Sequence, residues 1–157
     1  MIKKITIMLV FLSFFSCSCS CKKINQNDDI ERFYLNNLYY DNGEFIKLSS
    51  DNFINYQNGS YLLYIYNNYC ALAIPCENIF RDFMKKYQIS FLSMPFEEFK
   101  KSSFYNQVRY APTIIIVENG EIRDFLDANS DSDLSKYQDI LQFESWLNNY
   151  IYFSKKE

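Results

Sequence analysis

Apolar and aromatic side chains recur along this chain in two rhythms, and those rhythms mark out its elements. Tyr61 to Tyr66 and Thr113 to Val117 are uninterrupted runs of large or branched residues, the composition of strands buried on both faces. Glu44 to Leu48 and Ile89 to Met94 read as further strands. Between them the period lengthens. Ile79, Phe80, Phe83, Met84 and Tyr87 fall at i, i+1, i+4, i+5 and i+8, with Glu77, Asn78, Arg81, Asp82, Lys85 and Lys86 on the other face, which predicts an amphipathic helix over 77–87. Ser50-Asp51 suits the cap of a brief helix carrying Phe53, Ile54 and Tyr56, and 96–105 reads as another helix. Asn119-Gly120 is a two-residue hairpin signal that returns the chain through Ile122 to Leu126. A last helix is expected over 134–152, burying Tyr137, Ile140, Leu141, Leu147 and Ile151. Upstream, Asp28 is placed to cap a short helix through Ile30, Phe33, Tyr34 and Leu38. Strands alternating with helices predict an α/β domain with a mainly parallel core and an antiparallel edge.

Composition then narrows the chemistry. The 157 residues carry 16 basic and 19 acidic side chains, and their pI is about 5.1. No basic footprint of a nucleic-acid binder is present. Histidine is absent, which removes Ser–His–Asp and Cys–His catalysis and every zinc site that needs imidazole. The three glycines stand at 43, 59 and 120, too far apart to build a phosphate-cradling loop. The five cysteines therefore carry most of the remaining chemical signal.

Three of those cysteines follow an N-terminal address. Lys3 and Lys4 precede an apolar run from Ile5 to Phe15, broken only by Thr6 and Ser13. That run is shorter than the roughly 20 residues of a membrane-spanning helix and matches the core of a secretory signal. Ser16-Cys17-Ser18-Cys19-Ser20-Cys21 comes next. A small residue before a cysteine at this point resembles a bacterial lipoprotein signal, which implies cleavage before a lipidated Cys17; Phe14 stands where that pattern prefers leucine. Plain secretion after cleavage and an uncleaved anchor are the competing readings. All three place the folded domain outside the cytoplasm, and the lipoprotein reading predicts a signal peptide over 1–16 and a lipid-anchored location in the bacterial cell envelope, facing the periplasm or cell exterior. Residues 17–43 then form a tether and short helix, and 44–153 the folded domain. Loss of Lys3 and Lys4 takes the net charge from −3 to −5.

Within 44–152 three landmarks resemble the thioredoxin superfamily. Leu63-Tyr64-Ile65-Tyr66-Asn67-Asn68-Tyr69-Cys70 is similar to the family's strand leading into an aromatic residue and the nucleophilic cysteine. Pro75-Cys76 before the amphipathic helix is similar to the second half of its active-site motif. Tyr110-Ala111-Pro112-Thr113 before a strand and hairpin is similar to its cis-proline loop. The resemblance implies a mixed central sheet flanked by helices on both faces, with strands 61–66 and 113–117 adjacent and the Cys70 loop and Pro112 together at one end. It also implies a nucleophile at Cys70, a resolving cysteine at Cys76, and client contacts through Tyr69, Ala111 and Pro112. Two departures stand out. Cys70 and Cys76 enclose five residues rather than two, and alignment from the helix side puts Ala73 at the nucleophile position. Tyr64 also occupies the place of the buried aspartate that assists proton transfer in thioredoxins.

The pair has a physical reading of its own. A disulfide needs Cα atoms about 4.4–6.8 Å apart, whereas six residues of continuous helix span about 9 Å. A bond between Cys70 and Cys76 therefore requires a loop between them and a helix starting near Pro75, which proline tolerates. Cys76 at a helix N-terminus is placed where thiolates are stabilised. Three states fit: a redox-active pair, a structural disulfide, or two reduced thiols packed as small hydrophobes. Two functional readings follow. One is an envelope thiol–disulfide oxidoreductase acting on exported protein or peptide thiols and disulfides through this Cys-X5-Cys pair. The other is a non-catalytic thioredoxin-like binding or scaffolding module with a structural disulfide. Neither calls for a metal, another cofactor or nucleic acid.

Overall fold

The computed structural model describes residues 31–56, 58–67 and 75–156. Its strands are β1 (Phe45–Lys47), β2 (Tyr61–Tyr66), β3 (Phe91–Pro95), β4 (Thr113–Glu118) and β5 (Glu121–Phe125). They form one sheet in the order β1-β3-β2-β4-β5. β1, β3 and β2 run parallel, while β4 lies antiparallel to both β2 and β5. The two fully apolar runs pair in the interior of the sheet, with Leu63 opposite Ile115, where both faces are covered. β5 alternates in burial, as an edge strand does. Asn119 and Gly120 both take positive φ, 51° and 85°, the left-handed pair that a tight hairpin turn requires.

Among the described residues five α-helical segments surround this sheet: α1 (Ser50–Phe53), α2 (Cys76–Tyr87), α3 (Phe96–Phe99), α4 (Leu134–Gln138) and α5 (Ile140–Leu147). α2 buries the predicted stripe of Ile79, Phe80, Phe83 and Met84, and adds Cys76 to it. Its rings interlock with α5 and the sheet: Phe80 and Phe143 centroids lie 5.0 Å apart, Phe83 and Phe143 5.4 Å, and Phe83 and Phe91 5.9 Å. By the two-residue alternation of strands, Leu63, Ile65, Leu92 and Met94 face the other way. They too are fully buried, so both faces of the sheet are covered.

Three segments differ from the sequence pattern. The stretch from Glu31 to Asn36 is not helical, and a single 3-10 turn follows at Asn37–Tyr39. Phe33 instead makes a parallel bridge to Ile151, donating to the Tyr150 carbonyl and accepting from the Tyr152 N–H. Phe33 and Leu35 turn inward while Tyr34 remains exposed, so a period of two has replaced the expected helical one. The helix expected over 96–105 is α3 followed by a separate 3-10 turn at Ser103–Asn106. Phe99 and Phe104 are both buried, yet five residues of α-helix would aim them about 140° apart, so the chain retightens between them. The last helix is divided at Asp139, whose extended backbone (φ −130°, ψ 120°) ends α4 and whose carboxylate caps α5 by accepting the Leu141 N–H at 2.7 Å. The break rotates the buried face onto Phe143, Trp146 and Leu147 and leaves Leu141 65% exposed. Among the described residues no helix is long and apolar enough to cross a membrane.

Candidate functional site

The site begins where β2 ends and β4 starts. Ile65 pairs with Thr113, so antiparallel geometry carries Asn67 and Ala111 alongside one another just past the ladder. The Asn67 amide donates to the Ala111 carbonyl at 2.9 Å. The peptide bond from Ala111 to Pro112 is cis. The Pro112 carbonyl accepts from the Tyr137 hydroxyl at 2.8 Å, and that hydroxyl also lies 3.0 Å from the Leu126 carbonyl. The Thr113 hydroxyl donates to the same Leu126 oxygen at 2.6 Å. Backbone carbonyls withdrawn from water need such partners, and here side chains just past β2, on β4 and on α4 supply them.

Cys76 comes to this region from helix α2. It is the first residue of α2, preceded by Pro75 at the cap, whose carbonyl accepts from Asn78 at 2.9 Å. The side chain is 1% exposed. Phe80 lies one turn further along the same helix face, and its ring is 6.3 Å from that of Tyr137. Cys76, Tyr137 and the Pro112 carbonyl therefore share one buried corner of the molecule. Burial raises the Tyr137 pKa well above its ordinary value; the nearby Cys76 thiol and the carboxylates of Asp133 and Asp127 act in the same direction, and the Thr113 hydrogen bond opposes them. The phenol is consequently held protonated, as a donor. On Cys76 two influences compete: the helix N-terminus favours a thiolate, while burial favours the neutral thiol.

Tyr64 lies beneath this corner, on the central strand opposite Ser93. Its ring stacks on Phe45 at 5.1 Å and meets Phe80 edge-on at 5.2 Å. Among the described residues the buried polar side chains are Ser60, Ser90, Ser93 and Thr113, with no carboxylate. A cleft of about 220 Å³ opens beside Tyr64, between Tyr66, Lys47 and the first turns of α2. There Arg81 pairs with Glu77 at 2.6 Å and lies 4.7 Å over the Phe45 ring.

Of the residues singled out from sequence, Cys76, Ala111 and Pro112 are brought to this end of the sheet. Cys70 and Tyr69, and Cys17 in the signal segment, lie outside the described residues. Sequence reasoning missed Asn67 and treated Tyr137 only as helix packing. Neither carries a pattern that marks it; each matters through a partner 44 or 25 positions away. Among the described residues, no cluster of three or more Cys, Asp or Glu side chains is placed to hold a metal ion.

Three parallel strands, an antiparallel hairpin at one edge, a long helix entering behind the central strand and a proline at the head of β4 make this a thioredoxin-like fold. The chain is similar to a thioredoxin from Halobacterium salinarum at 15% identity and a TM-score of 0.50, covering 70% of this chain and 93% of that one. A thioredoxin from Schistosoma mansoni matches at 20% identity and a TM-score of 0.46, over 69% and 99% of the two chains. No protein-family model matches the chain, and no curated protein does. At 15% identity the likeness to the Halobacterium salinarum protein shows the fold alone.

Proposed function

We propose that this chain is a thiol–disulfide oxidoreductase of the cell envelope, acting on exported proteins through Cys70 and Cys76. The observation that carries the reading is the placement of Cys76 at the first residue of α2, in the same corner as the Pro112 carbonyl and at the carboxyl end of the central strand. Reactive groups in open α/β sheets collect at that end. In the proposed step the Cys70 thiolate attacks one sulfur of a client disulfide, and the other client sulfur leaves as a thiolate that takes a proton from solvent. The Cys76 thiol then loses its proton and attacks the Cys70 sulfur, releasing the second client thiol. The client gains two electrons and the chain is left with a Cys70–Cys76 disulfide, which a dithiol donor must reduce for another turn.

Trapping tests the assignment of the two sulfurs. Cys76→Ser is expected to accumulate a mixed disulfide with a disulfide-bonded client through Cys70, and Cys70→Ser to trap little. The reverse pattern transfers the nucleophile to Cys76. Trapping by neither removes the redox reading and leaves the second one, a binding or scaffolding module. That second reading has its own support: the side chain beneath the site is the aromatic Tyr64, and no buried carboxylate among the described residues is available to take the Cys76 proton.

The address is part of the same proposal. A lipid on Cys17 would tether the domain to a membrane, several acyl chains holding it far more firmly than one. Mass spectrometry of the mature N-terminal peptide decides the matter, since an unmodified terminus beyond Ser18 or Ser20 excludes lipid at Cys17.

A further inference from the structure

Building on the disulfide-exchange reading, we propose that Asn67 and Tyr137 are positioning residues that hold the Ala111–Pro112 backbone from inside and thereby set its fit to an extended client segment. Two consecutive carbonyls are each held by a side chain from a different element: Ala111 by Asn67 at the end of β2, and Pro112 by Tyr137 on α4. Two bonds from two directions fix the plane of a peptide segment, where one would leave it free to swivel. The Tyr137 bond is sheltered, its residue being 3% exposed, so water does not compete for it.

The same hydroxyl lies against the Leu126 carbonyl, which Thr113 also engages. The end of β5 and the start of β4 are thereby tied to α4. The neighbouring Tyr110 is 51% exposed and Ala111 is half-buried, so the segment is held on its inner side while its outer side meets solvent. Tyr137 also touches Phe80, one turn from Cys76 on α2. One phenol therefore references the client-facing segment and the cysteine-bearing helix to each other. Burial keeps that phenol protonated, so it donates throughout the neutral range.

A merely structural bond and a positioning bond differ in what their removal changes. Tyr137→Phe deletes only the hydroxyl, and Asn67→Ala deletes the other donor in a less buried setting, so the second variant serves should the first fold poorly. Each is made in the otherwise intact mature chain, reduced, and reacted with two oxidants: an extended peptide containing a disulfide, and bis(2-hydroxyethyl) disulfide, which is too small to lie along the segment. Loss of one hydrogen bond of this kind predicts a fall of about threefold to tenfold in the ratio of peptide rate to small-disulfide rate, expressed mainly in KM. A ratio equal to wild type in both variants overturns the proposal, as does an equal fall with both oxidants. If the wild-type chain reacts with neither, the redox reading has failed. The clamp is then judged on binding of the same peptide carrying serine in place of its cysteines. Binding weakened about threefold to tenfold in the variants supports it; equal affinity, or no binding by the wild-type chain, overturns it.

Discussion

Gly43 shows how much one residue can decide in this fold. Its φ is +64°, a left-handed conformation, and a β-carbon there would collide with the Met84 carbonyl near the end of α2. Gly43→Ala should therefore destabilise the protein by about 1–3 kcal/mol from backbone strain alone, with the collision added. Equilibrium urea unfolding measures this, and an unchanged midpoint would refute the close approach. At this scale the sequence was informative about chemical type. With no histidine and few glycines, the chemical signal rests on cysteines and prolines, and Cys76, Ala111 and Pro112 lie at one end of the sheet. Asn67 and Tyr137 were not legible, because an asparagine among many and a tyrosine in an apolar stripe become special only through a carbonyl that another element delivers.

The elements show which local signals survive folding. α2 was readable almost to its ends, because its stripe is long enough for hydrophobic periodicity to dominate and its polar face is unambiguous. The central strands were readable from their unbroken apolar runs, and the hairpin from Asn119-Gly120. Shorter segments were not. At Asp139 a residue tolerated within a helix interrupts one, because its carboxylate finds the Leu141 N–H and its extended backbone lets Tyr137 reach Pro112 while Phe143, Trp146 and Leu147 reach the core. Glu31 to Asn36 carries apolar residues at helical spacing and is nevertheless extended, since Ile151 and Tyr150 offer Phe33 a backbone partner. Tertiary contacts outweigh propensities of a few tenths of a kcal/mol per residue.

For the whole molecule, the buried tyrosines are expected to cost stability at alkaline pH. Burial pushes Tyr39 up to about 12 and Tyr150 up to about 12, from an ordinary 10.0, and shifts Tyr40, Tyr61 and Tyr137 upward as well. In the unfolded chain these phenols ionise near 10, while in the folded chain they remain protonated beyond it. Above pH 10 the unfolded state thus holds fewer protons than the native one, and stability falls as pH rises. The denaturant midpoint should show little tyrosine-linked loss from pH 8 to about 9, begin to fall as the unfolded-state phenols start to ionise, and drop steeply between about 10 and 12. A midpoint that holds through that window would mean that these hydroxyls ionise in the native state.

The sequence by itself determined the α/β class, the central pair of strands, the hairpin and the main helix, because each rests on periodicity or on a turn whose backbone demands asparagine and glycine. It also excluded chemistry that needs a histidine, which the chain lacks. Only the tertiary structure decided that the N-terminal segment joins the core as an extended strand-like piece, that the last helix breaks at Asp139, and that Asn67 and Tyr137 meet the Ala111 and Pro112 carbonyls. Those outcomes depend on which donor meets which acceptor across the sheet, and hydrogen bonds between residues tens of positions apart leave no local pattern to read.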